Sequence, residues 1–412
     1  MTEKISGEES FQRRQFLKKS SAYLSAGAAV GLAGPQALAS PDRIIGDKSE
    51  DVDYGQPSKD AKLKRKLLPG NNYSSSGYSP LGDMFGSITP SGLHFTRHHA
   101  GVPQIEMERH RLLIRGPKNK NILFTMSDLM RFPQRTIPAF IECSGNSDAC
   151  WKESPLQATV DEIHGMSSQS FWTGVPLSYL LSAVDAPKKN AWVIASGMDA
   201  ASLARSIPIE KCWKNGYVVY GQNGEPLRAE QGYPLRLLLP GWEGNCQIKW
   251  LGRLEISDKP AFSYQETAKY SDLYQDGIAR LFTFAMDTKS VITSPSSGMT
   301  LKQKGFCEIR GLAWSGRGKI HSVEVTTDAG KSWVKADLED PVLPFSHTRF
   351  FFPWNWNGEQ TLIGSRAIDE TGYVQPERKA LIAKRGSRSY YHYHGIQYWK
   401  LFKSGKVEND YI

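Results

Sequence analysis

Short apolar runs, each about the length of one strand, recur along residues 90–260 between glycine, proline and polar turn residues. Runs bounded in this way predict β-strands rather than long helices. The predicted strands are 112–114, 137–141, 192–194, 217–220, 235–239 and 248–256. Short helices interrupt them: Asp128 completes a capping box with Thr125, and Pro176 occupies the first turn of another helix. The pattern predicts an α+β domain with a mixed sheet over residues 86–260.

Beyond a predicted linker at residues 261–289 the pattern becomes strict alternation. Residues 323–327 alternate with period two and enter a polar turn, and residues 360–368 lead into a second one. Closely spaced strands without a helical segment predict an immunoglobulin-like β-sandwich over residues 290–385. An aromatic tail, residues 386–412, follows it.

The first 39 residues have the composition of an export signal. Arg13 and Arg14 precede a weakly apolar run rich in alanine and glycine, which ends in an Ala-Leu-Ala cleavage pattern. Paired arginines in this setting are similar to the twin-arginine signal, which carries folded proteins across the bacterial inner membrane. A basic amphipathic helix is the alternative interpretation. We therefore expect residues 1–39 to direct export to the periplasm and residues 40–85 to form an extended arm.

Composition and charge exclude several classes of protein. The 412 residues include 51 Lys and Arg against 42 Asp and Glu, a net charge of +9 that is spread along the chain. This distribution does not favour a nucleic-acid partner. An uninterrupted apolar stretch of about 20 residues is missing, so we expect no membrane span. The five cysteines include no C-x-x-C-H motif, which predicts that this chain carries no covalent c-type haem.

Cys143 is the most informative single residue. It ends a predicted apolar strand and precedes Ser144-Gly145-Asn146, small and turn-forming residues that leave a thiolate open to a ligand. Thiolate sulfur is a soft ligand suited to a transition metal. A buried structural cysteine and a disulfide with Cys150 are the alternatives.

Four sequence blocks carry a resemblance to a known family. They are residues 95–99 (Phe-Thr-Arg-His-His), Cys143, residues 231–236 (Gln-Gly-Tyr-Pro-Leu-Arg) and residues 241–253, which include Lys-Trp-Leu-Gly-Arg. In combination they resemble the sulfite oxidase family of molybdenum-pterin enzymes. The resemblance implies a molybdopterin-binding oxidoreductase domain at 86–260, a β-sandwich dimerisation domain at 290–385, and a molybdenum-molybdopterin cofactor with Cys143 as the protein ligand to the metal.

The same resemblance implies the other site residues. Catalytic roles fall on Cys143, Arg97 and Tyr270, and more loosely on His394, through which the tail would contribute to the active-site mouth. Implied cofactor contacts are His98, His99, Asp199, Gln231, Arg236, Gln247, Ile248 and Lys249. Arg236 and Lys249 match the family's phosphate-clamping cations, as a buried dianion is costly unless it is paired. The alternatives are a strand-end charge for Arg236 and Lys249, a turn residue for Asp199, and a solvated or core pair for the two histidines.

The sequence departs from the family where a small oxyanion would be held. Asp148 and His394 stand at positions that are arginines in sulfite oxidases, and Gln231 replaces a histidine on the phosphate side. Loss of two positive charges and gain of a negative one should weaken the binding of a free dianion. An aromatic and less cationic mouth suits a neutral peptide arm better.

Within the family the pattern is most similar to the molybdenum subunits of periplasmic sulfane dehydrogenases. That similarity implies oxidation of sulfane sulfur on a carrier-protein cysteine during thiosulfate oxidation. It also implies a c-type cytochrome subunit as electron acceptor and a homodimer within a hetero-oligomer. The alternative within the enzyme class is a sulfite:cytochrome c oxidoreductase, which Arg97 and Tyr270 favour. A non-catalytic adaptor with a relict pterin domain is the alternative from another class, and the presence of Cys143 argues against it.

Overall fold

β-Strands connected by short turns dominate the computed structural model. The structure describes residues 63–70 and 73–412, so the predicted signal peptide at 1–39 and the first part of the predicted arm lie outside the described residues. The described residues belong to one compact unit. None of their helices is long and apolar enough to cross a lipid bilayer.

A mixed five-stranded sheet forms the centre of the N-terminal half. In spatial order its strands are Asn121–Thr125, Arg111–Arg115, Leu251–Ser257, Trp192–Gly197 and Ala204–Pro208. Arg111–Arg115 and Leu251–Ser257 are parallel, and the other neighbours are antiparallel. Leu112 and Ile114 are fully buried, as the period of two predicts for one face of a strand. The predicted mixed sheet is confirmed.

A second, antiparallel sheet delivers Cys143. Its strands are Glu225–Pro226, Tyr217–Gln222, Ser167–Pro176 and Arg135–Glu142, with Arg236–Leu238 also paired to Tyr217–Gln222. Arg135–Glu142 pairs along its whole length with Ser167–Pro176 and ends directly before Cys143. Its last four residues are buried, so the position of the following thiol is fixed by the sheet.

The described part of the predicted arm is not simply extended. Lys66–Pro69 and Ser75–Tyr78 are antiparallel strands, and the second of them pairs with Thr96–His98. The register places Ser76 opposite Arg97. Serine, glycine and polar residues have low strand propensity, and the partner strand is distant in sequence, so the local pattern did not indicate this small sheet.

The α-helices of the described chain are all short. They are Met126–Met130, Val160–His164, Leu177–Ala183, Ile209–Asn215 and Arg378–Arg385. The capping box of Thr125 and Asp128 is confirmed, and Pro176 is the N-cap of the third helix. The last helix corrects the expectation of a segment without helices. It buries only Leu381 and Arg385, so its apolar period is too sparse to be recognised in the sequence.

Two antiparallel sheets form the predicted β-sandwich of the C-terminal half. The first contains Lys289–Ser294, Gly305–Trp314, Thr348–Trp356 and Asp337–Leu338, and the second contains Val334–Lys335, Ile320–Thr326, Thr361–Asp369, Tyr398–Leu401 and Val407–Asp410. The last two strands belong to the predicted tail, so the sandwich continues past residue 385. The predicted linker is also structured: it holds a π-helical turn, Gln265–Lys269, and the paired strands Asp272–Leu273 and Ala279–Arg280.

One hydrophobic core joins the two halves. It combines Phe140 and Trp151 from the N-terminal half with Trp314, Phe350 and Trp399 from the sandwich. The Phe140 ring centroid lies 6.4 Å from that of Trp314, and the Phe140 backbone N–H donates to the carbonyl of residue 345 over 2.9 Å. The strand that leads to Cys143 is therefore held by the sandwich as well as by its own sheet.

Candidate functional site

Most of the predicted site residues converge on one cavity. Those that line it are Arg97, His98, His99, Cys143, Asp199, Gln231, Arg236, Gln247, Lys249 and Tyr270. Ile248 instead packs in the hydrophobic core of the N-terminal half, where its carbonyl accepts a hydrogen bond from the Leu237 N–H over 2.8 Å. Side chains that are far apart in the sequence therefore lie together around one cavity.

Cys143 occupies a tight turn at the edge of this cavity. Its N–H donates to the Met166 carbonyl over 3.0 Å, and its own carbonyl accepts from the Asn146 N–H over 2.9 Å. Cys143 and Cys150 are both free thiols, so the alternative of a disulfide between them is wrong. Desolvation raises the pKa of Cys143 to about 11. A thiolate here requires a neighbouring cation, and a bound metal ion meets that requirement.

Arg236 brings a buried positive charge to the cavity, where it makes no salt bridge with any residue that the structure describes. Its guanidinium donates to the Gln231 carbonyl over 3.0 Å and to the Gln247 carbonyl over 3.3 Å, and it lies 5.0 Å from the Trp172 ring centroid. Its Nε has no hydrogen-bond partner among the described residues. Burial lowers the pKa of Arg236 to about 9. An anionic ligand would supply the charge that the protein itself does not place there.

Lys249 supplies a second cation. Its Nζ donates to His98 Nδ1 over 2.9 Å, to the Glu230 carbonyl over 3.0 Å and to the Arg97 carbonyl over 3.2 Å. Desolvation and the charge of Arg236 hold the pKa of Lys249 well below its ordinary value. Desolvation and Lys249 in turn lower the pKa of His98 to about 3. His98 is therefore a neutral imidazole whose Nδ1 accepts a hydrogen bond from Lys249.

The two glutamines differ in what they can offer a ligand. Gln231 donates its side-chain amide to the Phe95 carbonyl over 2.9 Å and accepts from Arg236 over 3.2 Å. The Gln247 amide is already bonded to the backbone of Leu239 and Trp242, at 3.2 and 2.8 Å. Gln231 therefore orients Arg236, while Gln247 mainly shapes the loop that borders the cavity.

Arg97, His99 and Tyr270 line both the cavity and the wider mouth that adjoins it. Arg97 donates to Ser74 Oγ over 2.8 Å and also to the His98 carbonyl. His99 Nε2 lies 3.1 Å from the Tyr270 hydroxyl. Burial, aided by the negative charge of a Cys143 thiolate, holds the pKa of Tyr270 far above its ordinary value. Tyr270 therefore keeps its proton and can donate a hydrogen bond.

Asp148 and a group of tyrosines line the mouth. Tyr78, Tyr390 and Tyr391 line it together with Asp148. Burial and the Asp148 carboxylate raise the pKa of Tyr390 to about 12. The Tyr391 ring centroid lies 4.9 Å from that of Tyr390 and 5.3 Å from that of Tyr270. The predicted position of Asp148 beside the site is confirmed, and the mouth is aromatic.

The structure corrects the position of His394. It lines neither the cavity nor the mouth. His394 is 5% exposed, with Nε2 3.0 Å from the Tyr373 hydroxyl and Nδ1 2.9 Å from the His392 carbonyl. Burial lowers its pKa to about 4. Tyr390 and Tyr391, from the same aromatic tail, reach the mouth instead.

Two further residues of the cavity were missed from the sequence. Asn245 donates to Ser144 Oγ over 3.0 Å, next to Cys143. His94 lines the cavity with its Nε2 buried and without a partner in the described chain, and desolvation lowers its pKa to about 3. Both belong to or adjoin the motif blocks at 95–99 and 241–253, which was the only signal available.

Two family models match this chain. An oxidoreductase molybdopterin binding domain covers residues 99–265, and a Mo-co oxidoreductase dimerisation domain covers residues 280–398. Among solved structures, the sulfane dehydrogenase SoxCD from Paracoccus pantotrophus matches with a TM-score of 0.88 and 41% sequence identity. The match covers 92% of this chain and 100% of that chain.

Curated relatives include mitochondrial sulfite oxidases and a plant nitrate reductase. The sulfite oxidase of Rattus norvegicus is 28% identical over 72% of this chain, and that of Homo sapiens is 26% identical over 80%. Inducible nitrate reductase [NADH] 1 of Glycine max is 29% identical over 74%. The matched regions span 58%, 65% and 39% of those three proteins.

The cavity fits a molybdopterin cofactor. Among the described residues, Arg236 and Lys249 make no salt bridge, and Arg236 Nε and His94 Nε2 are buried without a hydrogen-bond partner. A phosphate would balance the two positive charges, and the polar ring of a pterin would supply the missing hydrogen-bond partners. Within the same residues no group of three His, Cys, Asp or Glu side chains could hold a metal ion. Cys143 would therefore be joined at the metal by donor atoms of the pterin. Molybdenum bound in this way supplies two-electron redox chemistry at sulfur.

Proposed function

Because this chain belongs to the sulfite oxidase family of molybdenum oxidoreductases, we propose that it oxidises sulfane sulfur attached to a carrier-protein cysteine during thiosulfate oxidation. The substrate arm enters through the mouth beside Cys143, and Tyr270, His99 and Arg97 contact the reacting sulfur group. Similarity to sulfane dehydrogenase SoxCD over 92% of the chain supports this choice of substrate.

The observation that carries the proposal is the charge at the mouth. Asp148 places a carboxylate beside Arg97, Cys143 and Lys269 in the mouth lining. A free dianion such as sulfite would meet this carboxylate, whereas a neutral peptide arm that carries a sulfane would not. The lining tyrosines offer apolar ring faces and hydroxyl groups, which suit peptide backbone and small side chains.

The proposed partners follow from the chemistry. Each transfer of one oxygen atom to sulfur releases two electrons, which need an acceptor. The sequence carries no covalent haem motif, so a c-type cytochrome subunit is the proposed acceptor. The dimerisation domain at residues 280–398 supports a homodimer within this complex. The arginine pair at residues 13 and 14 supports a periplasmic location after twin-arginine export.

The test exchanges the charge at the mouth. A unit charge about 4 Å away is worth roughly 4 kcal/mol at an effective dielectric near 20. Even a quarter of that changes binding about fivefold. Asp148→Arg should therefore lower the KM for sulfite about fivefold and raise the KM for a thiosulfate-loaded carrier. Asp185→Arg, at an exposed aspartate paired with Lys120, is the matched control and should change neither.

The second candidate function is a sulfite:cytochrome c oxidoreductase. Arg97 and Tyr270 in the cavity favour it, since both can hold a small oxyanion. Steady-state cytochrome reduction distinguishes the two functions. A wild-type protein that oxidises free sulfite efficiently and ignores the loaded carrier would replace our proposal with this one.

A further inference from the structure

A continuous chain of buried ionic groups lies beside the cavity without lining it. Arg205 pairs with Glu243 over 3.0 Å and with Glu266 over 3.7 Å. Glu243 in turn pairs with His392 Nε2 over 3.2 Å. All four residues are at least 97% buried. Glu243 lies in the motif block at residues 241–253, but the other three residues lie outside the four blocks, and none of the four lines the cavity.

The first connection of Arg205 leads to the turn of Cys143. Its guanidinium donates to Asn245 Oδ1, and the amide of Asn245 donates to Ser144 Oγ over 3.0 Å. On the other side Glu243 holds the side chain of His392, whose backbone N–H donates to the Ser144 carbonyl over 2.8 Å. The side-chain hydroxyl and the backbone carbonyl of Ser144, the residue after Cys143, are thus held through partners of Arg205.

The second connection leads to Tyr270. The Arg205 guanidinium lies 5.3 Å from the Tyr270 ring centroid. Glu266, its other partner, belongs to the π-helical turn Gln265–Lys269 that ends at Tyr270. Glu266 is fixed in turn by the Ser263 N–H over 2.9 Å and by the Ser206 hydroxyl over 3.2 Å. Arg205 therefore contacts the tyrosine directly and also holds the turn that presents it.

A network of this kind is a poor source of stability. Removing charges from water costs several kcal/mol per ion, and well-packed apolar residues often replace buried ion pairs without loss. Arginine is suited to a different task, because its planar fork donates in several fixed directions at once. Burial would lower the pKa of Arg205, but its negative neighbours, Glu243 and Glu266 among them, raise it, so the guanidinium remains charged.

We propose that Arg205 is a positioning residue that sets the distance between the Cys143 turn and the hydroxyl of Tyr270. One guanidinium holds both elements, so the metal ligand and the tyrosine that faces the substrate keep a fixed geometry during turnover. The proposal concerns the molybdenum site itself and does not depend on which sulfur compound is oxidised.

The test replaces Arg205 in the full-length, molybdenum-loaded protein. In Arg205→Met the amide hydrogens of residues 143–147 and of residues 264–271 should both exchange about tenfold faster than in the wild type at equal molybdenum content. Because a misplacement of about 1 Å can cost roughly 100-fold in rate, kcat per molybdenum should fall about 10- to 100-fold. The KM for sulfite or for the loaded carrier should change less than about twofold, and the EPR signal of the molybdenum should shift.

Arg349→Met is the matched control, because Arg349 is equally buried but donates to the carbonyls of Met84 and Gly86 away from the cavity. It should lower stability without changing exchange in the two segments or the EPR signal. If Arg205→Met does not fold, the same measurements are made on Arg205→Lys. This variant keeps the positive charge but loses the planar guanidinium that donates in several directions. Faster exchange in only one segment or in neither, or an effect of Arg349→Met on both, would overturn the proposal.

Discussion

Cationic side chains are buried both in the cavity and at the boundary between the two halves, but only at the boundary is the buried cation paired with a carboxylate of the described chain. At the boundary, Lys289 from the sandwich pairs with Glu142 over 3.1 Å and donates to Ser147 Oγ over 2.8 Å. The second Glu142 oxygen accepts from Trp314 Nε1 over 2.7 Å. We refer to Glu142, Ser147, Lys289 and Trp314 as the seam. Every charge of the seam has a partner of opposite sign or a hydrogen bond.

In the cavity, Arg236 and Lys249 have carbonyl, amide and imidazole partners, but neither makes a salt bridge within the described part of the chain. Their lowered pKa values show that the folded chain penalises the charged forms. At the seam the Glu142 carboxylate balances the charge of Lys289 within the chain, whereas in the cavity the negative charge that would balance Arg236 and Lys249 is left to a ligand.

The largest expected effect is on the seam. Lys289→Met would leave the Glu142 carboxylate buried without a counter-charge, which should lower the free energy of unfolding by about 3–5 kcal/mol. Chemical denaturation of the full-length protein measures the change. Lys400→Met is the matched control, because Lys400 pairs with Asp410 over 3.1 Å at a partly exposed site, and it should cost less than about 1 kcal/mol. Equal effects of the two variants would contradict the comparison.

A Lys→Met substitution in the cavity should have a much smaller effect on the free energy of unfolding. In the cofactor-free protein, Lys249→Met should change the free energy of unfolding by less than about 1 kcal/mol, since the lost hydrogen bonds are offset by removal of a disfavoured charge. Loss of a charged hydrogen bond to the phosphate should weaken cofactor retention about 10- to 100-fold.

Molybdenum content after dialysis and denaturation of the cofactor-free protein measure these two quantities. Lys269→Met is the control, because Lys269 lines the mouth but not the cavity and should leave retention unchanged. A Lys249→Met protein that unfolds as easily as Lys289→Met, or one that retains molybdenum fully, would remove the distinction between the two regions.

The sequence was sufficient for the parts of the site that lie in contiguous motifs. Cys143, Arg236 and Lys249 each stand within or next to a strand end flanked by recognisable residues, so their convergence could be predicted together with the fold class. Arg205 could not be identified, because it lies outside the motif blocks and meets Glu243, from the block at 241–253, only after the mixed sheet has formed.

The C-terminal tail shows a different limit. His394 was expected at the mouth, but His392 has a positive φ of 57°, which changes the direction of the chain between the tyrosines and His394. Tyr390 and Tyr391 therefore face the mouth, and His394 faces Tyr373. A left-handed backbone conformation at a residue other than glycine is hard to predict from the sequence, and it changes the direction in which the next side chains point.

The smallest expected effect is a dependence on pH. The pKa of Lys249 is lowered in the folded, cofactor-free chain, whereas in the unfolded chain it lies near 10.4. Between these two values the unfolded state binds more protons, so the contribution of Lys249 makes the protein more stable as pH rises toward about 10.4, by no more than about 1.4 kcal/mol per pH unit. The free energy of unfolding of the cofactor-free wild type, minus that of Lys249→Met, should therefore increase with pH over this window. In the loaded protein the phosphate favours the charged lysine, and the increase should disappear. If the free energies of unfolding of the two cofactor-free proteins changed with pH in parallel, the folded chain would not disfavour the charged form of Lys249. The contrast with Lys289 would then consist only in the identity of the hydrogen-bond partners.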